Sequence, residues 1–354
     1  MKIMFIIPRM IGGGAERVIS VLSNEFVKRQ IEVKILMTAG SDMAYRLDER
    51  IEVIKIGGRS GGSLWKRLQR IVRMRRVFRQ NPGYLLVAFE PATAFFVSLA
   101  KIGLKRKFVS SERNDPKSFS NDRIREYAYR HSDRVVFQTK DAMEYFPEDI
   151  QKKGTIIVNP ITEKLPDVYT GERKHTVVAA GRLEEQKNHI NLFYAFRDFL
   201  RDYPDYILHL YGQGSMEQEL KELAEKLEIK ENVVFEGFHE KILEEIRDAG
   251  MYVLSSDYEG ISNSLLEAMG IGMPVVSTDC PCGGSRMCIQ DGVNGLLVPV
   301  AQSSKLCDAM ERIAGSRELA DRMGREASKV RERFSLQIIV KEWLKLLTEL
   351  QEER

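Results

Sequence analysis

The clearest structural signal in the chain is residues 252–276, which read YVLSSDYEGISNSLLEAMGIGMPVV. Two short apolar runs rich in β-forming residues enclose a segment with helical spacing, so they predict strand, helix and strand in that order. Ser262 or Asn263 is placed to start the helix, and Gly270 and Pro274 end it. The stretch therefore predicts a βαβ unit of a parallel sheet.

The turn between the first strand and the helix carries groups that bind polar ligands. Glu259 and Gly260 lie in this turn, and Glu267 follows about one turn into the helix. The backbone N–H groups of residues 262–265 lie at the helix start, where free amides bind anions. Carboxylates bind sugar hydroxyls. At the carboxyl end of a parallel strand, this combination suits a ligand that is part phosphate and part polyol, such as a nucleotide sugar.

Length and apolar content bound the class of protein. A chain of 354 residues predicts two domains of ordinary size, each with its own core. The most apolar segment, residues 84–100, contains Glu90 and Pro91, so no membrane-spanning helix is predicted. The first apolar run, residues 3–7, is too short for a signal peptide and fits a buried strand. We therefore expect a cytoplasmic protein.

The cysteines do not form a disulfide framework. They are clustered in one part of the chain, as Cys280, Cys282, Cys288 and Cys307. The first three could ligate a soft metal, but no histidine follows at the spacing of zinc ligands. We expect reduced thiols in a loop, and no metal.

Charge is divided unevenly along the chain. Residues 1–165 hold 31 basic and 18 acidic residues, net +13, whereas residues 166–354 hold 23 basic and 33 acidic residues, net −10. The imbalance indicates that the first half meets an anionic partner, such as a membrane surface, a lipid diphosphate or nucleic acid. Nucleic acid ranks last, because no nucleic-acid-binding module is visible and stacking aromatic residues are not interleaved with the basic ones.

Residues 64–79 form a strongly basic stretch without an acidic residue. Its basic residues are Lys66, Arg67, Arg70, Arg73, Arg75, Arg76 and Arg79. Apolar residues at helical spacing predict a stripe of Leu64, Leu68, Ile71, Val72 and Phe78, beside Trp65. We expect the stripe to cover the sheet and the basic face to meet anionic lipid, where each cation is worth ~1 kcal/mol. A solvated basic face is the alternative.

The first part of the chain predicts an open α/β domain. It begins with a strand over residues 2–7, a glycine loop over 12–14 and a helix over 15–29. The pattern is not a dinucleotide fingerprint, because Arg17 stands where the third glycine is needed. Further strands are predicted at residues 31–37, 51–56, 84–89, 107–110, 135–138 and 155–158. The domain is therefore a doubly wound sheet.

An aperiodic segment with prolines and a glycine, residues 159–173, precedes a second domain of the same kind. Its first strand, residues 176–180, ends just before Arg182 and Lys187. Two fixed cations at a strand end can neutralise a diphosphate, with a surface salt bridge as the alternative. Further strands are predicted at residues 207–211, 233–235, 252–254, 274–277 and 295–298, and a terminal helix at 335–350.

Several motifs, in order, resemble those of the family 4 retaining glycosyltransferases. The central motif is the pair Glu259 and Glu267, followed by Ala268-Met269-Gly270 and Met273-Pro274-Val275-Val276. Other matching blocks are Gly12-Gly13-Gly14-Ala15-Glu16-Arg17-Val18, Ser111-Glu112-Arg113-Asn114, Asn159-Pro160, Gly181-Arg182-Leu183, Gln186-Lys187-Asn188, Gly212-Gln213-Gly214 and Asp291-Gly292-Val293-Asn294-Gly295. The resemblance implies the α/β GT-B fold, in which two Rossmann-like domains face a cleft. Residues 1–165 would bind the acceptor, residues 166–334 the nucleotide sugar, and a helix at 335–354 would cross back to the first domain.

The resemblance also implies roles for individual residues. Glu259, Arg182 and Lys187 would be catalytic, with Glu259 holding donor-sugar hydroxyls and both cations facing the leaving diphosphate. The donor would be bound by Gly14, Arg182, Lys187, Gly237, Phe238, Glu259, Gly260, Ile261, Ser262, Asn263, Ser264, Leu265 and Glu267. The acceptor would be bound by Gly13, Glu16, Arg113 and Asn114. Two departures from the family pattern are Met287, where a glutamate is common, and Ile261-Ser262, where Phe-Pro is common.

The function implied is transfer of a hexose or N-acetylhexosamine from a nucleotide sugar, UDP-linked by analogy, with retention and without a metal. The acceptor would be a polyprenyl-diphosphate-linked saccharide at the cytosolic face of the inner membrane, during surface polysaccharide assembly. The lack of an Asp-x-Asp motif agrees with a metal-independent reaction. Alternatives are a nucleotide-sugar epimerase of the same fold and a non-enzymatic nucleotide-sugar-binding protein.

Overall fold

The computed structural model describes residues 1–11, 13–40, 42–57, 64–239 and 241–353. Its contacts divide the chain into two units. The first unit comprises Met1–Asn159 together with Gln337–Arg354, and the second comprises Pro160–Leu336. Gly12, in the predicted glycine loop, lies outside the described residues.

The strands of the described residues form one sheet in each unit. Those of the first unit are β1 (Lys2–Ile7), β2 (Glu32–Met37), β3 (Glu52–Lys55), β4 (Leu85–Phe89), β5 (Phe108–Ser111), β6 (Arg134–Phe137) and β7 (Gly154–Ile156). Those of the second unit are β8 (Lys174–Ala180), β9 (Ile207–Tyr211), β10 (Val233–Gly237), β11 (Ala249–Leu254), β12 (Val275–Thr278) and β13 (Leu296–Val298).

The helices of the described residues lie between these strands in sequence or after the last one. In the first unit they are α1 (Gly14–Lys28), α2 (Leu64–Gln80), α3 (Pro91–Ala100), α4 (Asp122–Arg130), α5 (Lys140–Glu144) and α6 (Glu148–Gln151). They continue as α7 (His189–Phe199), α8 (Glu217–Lys226), α9 (Ile242–Ile246), α10 (Asn263–Gly270), α11 (Gly284–Cys288), α12 (Ser303–Ala314), α13 (Arg317–Ser328), α14 (Val330–Arg333) and α15 (Leu336–Glu352). Short 3₁₀ helices lie at Pro116–Ser118, Glu185–Lys187 and Lys230–Asn232.

Both sheets are parallel and doubly wound, as predicted. The first has the strand order β3-β2-β1-β4-β5-β6-β7, and the second has the order β10-β9-β8-β11-β12-β13. Chain order reverses between β1 and β4 in the first sheet and between β8 and β11 in the second. In open α/β sheets, ligands bind outside the carboxyl ends of the strands at such reversals. The fold therefore marks one candidate position on each unit.

The strands are buried on both faces, which explains their continuous apolar sequences. Every residue from Ile3 to Ile7 of β1 has 0% exposure, and all of β11 is buried. The predicted βαβ unit is confirmed as β11, α10 and β12, with β11 and β12 paired in parallel. A buried cluster containing Phe193, Phe196 and Met251 packs helix α7 on the second sheet.

Helix α2 forms where predicted, but its apolar residues are arranged differently from the predicted stripe. Met74, Val77 and Phe78 are buried in the core of the first unit, and Ile71 packs against them. Leu64, Trp65, Leu68 and Val72 are instead exposed, by 72%, 67%, 47% and 60%. The prediction that Leu64, Leu68 and Val72 cover the sheet was wrong. Residues 64, 68 and 72 follow at four-residue spacing, so they form a row of their own on a helix.

The terminal helix α15 contributes to the core of the first unit. Trp343 is fully buried, and its ring stacks on Phe89 with 6.0 Å between centroids. Arg134, the first residue of β6, pairs with Glu353 just beyond the helix. Across the described ranges, no helix combines the length and the apolar character needed to cross a bilayer.

Candidate functional site

The candidate site of the second unit lies at the carboxyl ends of β8 and β11, where the strand order reverses. A loop follows β11 and leads into α10, whose N-cap is Ser262. The Ser262 hydroxyl oxygen accepts a hydrogen bond from the Leu265 amide at 3.4 Å. This capping bond satisfies only one of the amides at the helix start, because the first four N–H groups of a helix have no partner within the helix. The start of α10 is therefore a position suited to an anion.

An ion pair joins the loops that follow β8 and β11. The Lys187 ammonium nitrogen lies 2.9 Å from Glu259 Oε1 and 3.2 Å from Oε2. The two side chains are only 10% and 14% exposed. The Gln186 amide donates a further hydrogen bond to Glu259, to Oε2 at 2.9 Å. Lys187 and Glu259, which were predicted to act in one site, are thus in direct contact.

Neighbouring polar contacts fix this pair in place. Asn188 takes a left-handed conformation, with φ of 42°, and its side-chain amide donates to Asp257 at 2.7 Å. The Ser255 hydroxyl donates to the Lys187 carbonyl at 2.8 Å. Gln186 also donates to the Tyr258 carbonyl at 2.9 Å. The two loops are therefore bound to each other by side chains and backbone on both sides of the ion pair.

Arg182 adds an exposed positive charge to the network. Its guanidinium lies 3.5 Å from Gln186 Oε1, on the side chain that also holds Glu259. Lys187 and Glu259 neutralise each other, and Arg182 and Asp257 add one charge of each sign to the site. Such a network can bind a diphosphate through Arg182 and Lys187 while the carboxylate binds hydroxyl groups.

The other predicted donor residues lie around this network or near it. Gly260, Ile261 and Leu265 are buried, whereas Asn263 and Glu267 are half-buried. The Ser264 hydroxyl donates to the Ala180 carbonyl at 3.0 Å and so links α10 to the end of β8. Further predicted residues lie at the end of β10, where Gly237 has a φ of 74° and Phe238 is 75% exposed.

Polar residues of this site that the prediction did not include are Gln186, Asn188, Asp257 and His189. Gln186 and Asn188 flank Lys187 in the matched motif, which was the available signal. His189 is 6% exposed. Burial, with a smaller effect of Lys187, lowers the pKa of His189 to about 4. The imidazole is therefore neutral near pH 7.

The cysteines near the site are buried free thiols. Cys280 donates to the Ser256 carbonyl at 3.3 Å, and Cys282 donates to the Glu259 carbonyl at 2.6 Å. Burial raises the pKa of Cys280 and of Cys288 to about 12, so these two are not thiolates near neutral pH. Within the described ranges, no group of three or more His, Cys, Asp or Glu side chains is arranged to hold a metal ion.

The remaining predicted residues lie on the first unit. Gly13 is the N-cap of α1, Gly14 is its first residue, and Glu16 lies in its first turn. Arg113 follows β5, and its guanidinium lies 4.6 Å from the Phe89 ring centroid. Burial lowers the pKa of Arg113, and its Nε and Nη2 atoms are buried without a partner among the described residues. Asn114 turns its side-chain oxygen to the Asp115 amide at 2.9 Å.

Similarity searches identify relatives across both units. The family described as Glycosyl transferase 4-like domain matches residues 13–161, and the family described as Glycosyl transferases group 1 matches residues 161–330. The chain is 25% identical, over 99% of each chain, to the Campylobacter jejuni GalNAc-alpha-(1->4)-GalNAc-alpha-(1->3)-diNAcBac-PP-undecaprenol alpha-1,4-N-acetyl-D-galactosaminyltransferase. It is 23% identical to the amylovoran biosynthesis glycosyltransferase AmsD of Erwinia amylovora, over 95% of this chain and 96% of the relative.

Solved structures show the same architecture. HepE of Anabaena, crystallised in complex with UDP and glucose, matches with a TM-score of 0.85 and 19% sequence identity. The match covers 98% of this chain and 99% of that one. The two family matches together extend over residues 13–330, and the solved structure has the same architecture. The chain therefore belongs to the glycosyltransferases that combine a family 4-like domain with a group 1 domain and have the GT-B fold.

Proposed function

We propose that the protein transfers a hexose or N-acetylhexosamine from a UDP-linked sugar to an acceptor hydroxyl, with retention at the anomeric carbon. The observation that carries the proposal is the Lys187–Glu259 ion pair, held by Gln186 and extended by Arg182, at the strand reversal of the second sheet. The second unit then binds the donor, and the first unit binds the acceptor. The UDP-bound HepE structure supports the nucleotide by analogy.

In the reaction, the bond from the anomeric carbon to the diphosphate breaks, and a bond to the acceptor oxygen forms. The acceptor hydroxyl gives its proton to water, and the nucleotide diphosphate leaves with an additional negative charge. Arg182, Lys187 and the α10 amides stabilise that charge, because fixed donors act most strongly on charge that develops in the transition state. Glu259 positions the donor sugar by accepting hydrogen bonds from its hydroxyl groups. These cations make a divalent metal unnecessary in the proposed reaction.

The proposed acceptor is a polyprenyl-diphosphate-linked saccharide at the cytosolic face of the inner membrane, in surface polysaccharide assembly. The net charge of +13 on residues 1–165 supports an anionic acceptor. Two relatives agree with this proposal, since the Campylobacter name describes a saccharide on PP-undecaprenol and the Erwinia name describes amylovoran biosynthesis.

Nucleotide diphosphate release tests this proposal. The purified protein is incubated in EDTA with a panel of UDP- and GDP-sugars, with and without a bacterial membrane lipid extract. We expect one UDP-sugar to release UDP at a rate that rises strongly with the extract. Glu259→Gln should lower that rate by roughly 10²-fold, since the sugar loses a charged hydrogen-bond acceptor that positions it. Glu318→Gln, on the exposed surface of α13, is the matched control.

Three outcomes would contradict the proposal. Full activity of Glu259→Gln would remove the role assigned to that carboxylate. An epimerised donor sugar without transfer would indicate an epimerase. Donor binding without turnover, even after metal is restored, would indicate a binding protein.

We also propose that α2 lies on anionic lipid. Its exposed apolar residues are Leu64, Trp65, Leu68 and Val72, and its basic residues carry no acidic neighbour within the helix. Exposed apolar side chains of an interfacial helix enter the boundary between headgroups and acyl chains, and its basic side chains contact the anionic headgroups. The helix would thus bring the first unit to a lipid-linked acceptor.

Vesicle co-sedimentation tests this contact. We expect Trp65→Ser combined with Leu68→Ser to weaken binding to phosphatidylglycerol vesicles roughly 10²-fold, since each side chain loses ~1.5 kcal/mol of apolar burial. Binding of the wild type should also fall with salt. Phe238→Ser removes an equally exposed aromatic residue from the second unit and should bind as the wild type does. Equal binding of all three proteins would exclude α2 as the contact.

A further inference from the structure

Glu90 lies at the position in the first sheet where the order of the strands reverses. It directly follows β4, and β4 pairs with β1 on one side and with β5 on the other. The order of strands reverses between β1 and β4, so the carboxyl end of β4 borders the position where an open α/β sheet binds its ligand. Glu90 was not among the predicted site residues.

The backbone of Glu90 is strained. Its φ is 76° and its ψ is 140°, a combination that glycine adopts readily and other residues rarely adopt. Pro91 follows and restricts the conformation further. Glu90 is the N-cap of α3, yet its side chain makes no capping hydrogen bond. The strain is therefore not offset by a local structural role of the side chain, and strained residues of this kind cluster at functional sites.

The Glu90 carboxylate is half-buried and receives no hydrogen bond from the described residues. The charged groups that act on its pKa are Glu16 from α1, Arg9 after β1 and Glu112 after β5. Burial, then the charge of Glu16 and finally that of Glu112, raise the pKa of Glu90 to about 7, and Arg9 acts in the opposite direction. Arg9 is thus the one cation among these charged groups, and none of the described residues donates a hydrogen bond to the carboxylate.

A second group with unused hydrogen-bonding capacity follows β5, the strand that pairs with β4. The Arg113 guanidinium lies over Phe89, the residue that precedes Glu90. Its Nη1 donates to Asn159 at 3.2 Å, but Nε and Nη2 are buried without a partner in the described part of the chain. Buried polar groups are almost always hydrogen-bonded, so the unpartnered Arg113 donors, at the same sheet edge as the half-buried Glu90 carboxylate, indicate a polar ligand.

We propose that Glu90 binds the saccharide acceptor by accepting hydrogen bonds from its hydroxyl groups, with Arg113 donating to an acceptor oxygen beside it. This inference rests on the proposed transferase function. An ionised carboxylate accepts hydrogen bonds at both oxygens, which suits adjacent hydroxyls of a sugar. Glu90 is thereby a binding residue of the acceptor, separate from the donor network of the second unit.

Acceptor kinetics test the assignment. The probe is the membrane lipid extract that stimulates nucleotide release by the wild type, varied at a saturating donor concentration. We expect Glu90→Gln to raise the apparent acceptor KM roughly tenfold at pH 8, as for loss of a hydrogen bond to a charged group. The donor KM should stay within twofold of the wild type. Glu148→Gln, on the exposed surface of α6, is the matched control.

Two further measurements distinguish a loss of acceptor binding from a loss of folded structure. Between pH 6 and 8, kcat/KM for the acceptor should rise with pH in the wild type, because Glu90 ionises, and should lose that rise in Glu90→Gln. Glu90→Gly allows the observed backbone conformation without strain, so it should melt at or above the wild-type temperature and still show the raised acceptor KM. A stable variant with a raised KM supports binding.

Each failure has a distinct meaning. An acceptor KM within twofold of the wild type in both Glu90 variants, with the wild-type pH profile kept, overturns the assignment of Glu90 and leaves the transferase function intact. Absence of extract-stimulated release in the wild type overturns the proposed function, and the Glu90 inference with it.

Discussion

We expect Lys187→Met to lower kcat for sugar transfer roughly 10²–10³-fold, which is the loss typical of removing one fixed donor from a developing oxyanion. The Lys187 ammonium is nearly buried, and its Glu259 partner lies 2.9 Å away. A cation fixed before the reaction needs little rearrangement when the diphosphate leaves. Lys187→Arg should retain part of the activity, because the charge is kept but the geometry of the donor changes. The measurement is UDP release at saturating donor.

The structural cost of the substitution must be separated from its chemical effect. Lys187→Met leaves the Glu259 carboxylate, only 14% exposed, without its cation, and an uncompensated buried charge destabilises a protein. Lys187→Met combined with Glu259→Gln removes that charge, so its melting temperature should recover while its activity stays low. Lys221→Met, which breaks an exposed pair with Glu217, should match the wild type in both measurements. A folded Lys187→Met with kcat within threefold of the wild type would contradict the role.

The elements of the fold could be predicted because each depends on a local pattern. The runs that became β1 and β11 are apolar without interruption, and such runs fit strands that are buried on both faces. The helix α10 has its capping serine and its terminal glycine within the sequence itself. Sequence order and the rules for parallel sheets then restrict the topology to a doubly wound arrangement.

The contacts within the site could not be predicted in the same way. The residues of the Lys187–Glu259 pair lie far apart in sequence, and β8 and β11 bring the loops together only when they pair side by side. The motif placed both residues at strand ends but gave no information on their distance. Glu90 is a clearer case, because its strain and its lack of partners exist only in the folded backbone.

The wrong prediction for α2 has a related cause. Helical spacing shows that apolar residues share a face, but it does not show which face packs on the sheet. In α2, the row of Leu64, Leu68 and Val72 is exposed, whereas Met74, Val77 and Phe78 enter the core. A helix with two apolar rows can bury one row in the core and expose the other to solvent. Only the packing in the folded protein shows which row is buried.

We expect Gly284→Ala to cost roughly 1–3 kcal/mol of stability and to lower kcat/KM for the donor by about 10²-fold. A Cβ atom at Gly284 would overlap the Gly260 carbonyl oxygen and lie 2.5 Å from its carbon. Both partners in this clash are backbone or fixed to it, so no flexible side chain can move aside. Gly260 directly follows Glu259, whose carbonyl also receives the Cys282 thiol at 2.6 Å. The added methyl group should therefore displace the loop that carries Glu259.

Gly292→Ala separates this steric effect from backbone strain. Gly292 has a φ of 74°, and a Cβ atom there would meet nothing within 4 Å, so alanine should cost only about 1–2 kcal/mol for the left-handed conformation and leave kcat/KM unchanged. Gly284 lies in α11 and does not require a positive φ, so its loss should come from the clash alone. If Gly284→Ala kept full kcat/KM while its melting temperature fell, the added methyl group would displace α11 and not the loop that carries Glu259. The position of Glu259 would then not depend on the close approach of Gly284 to Gly260.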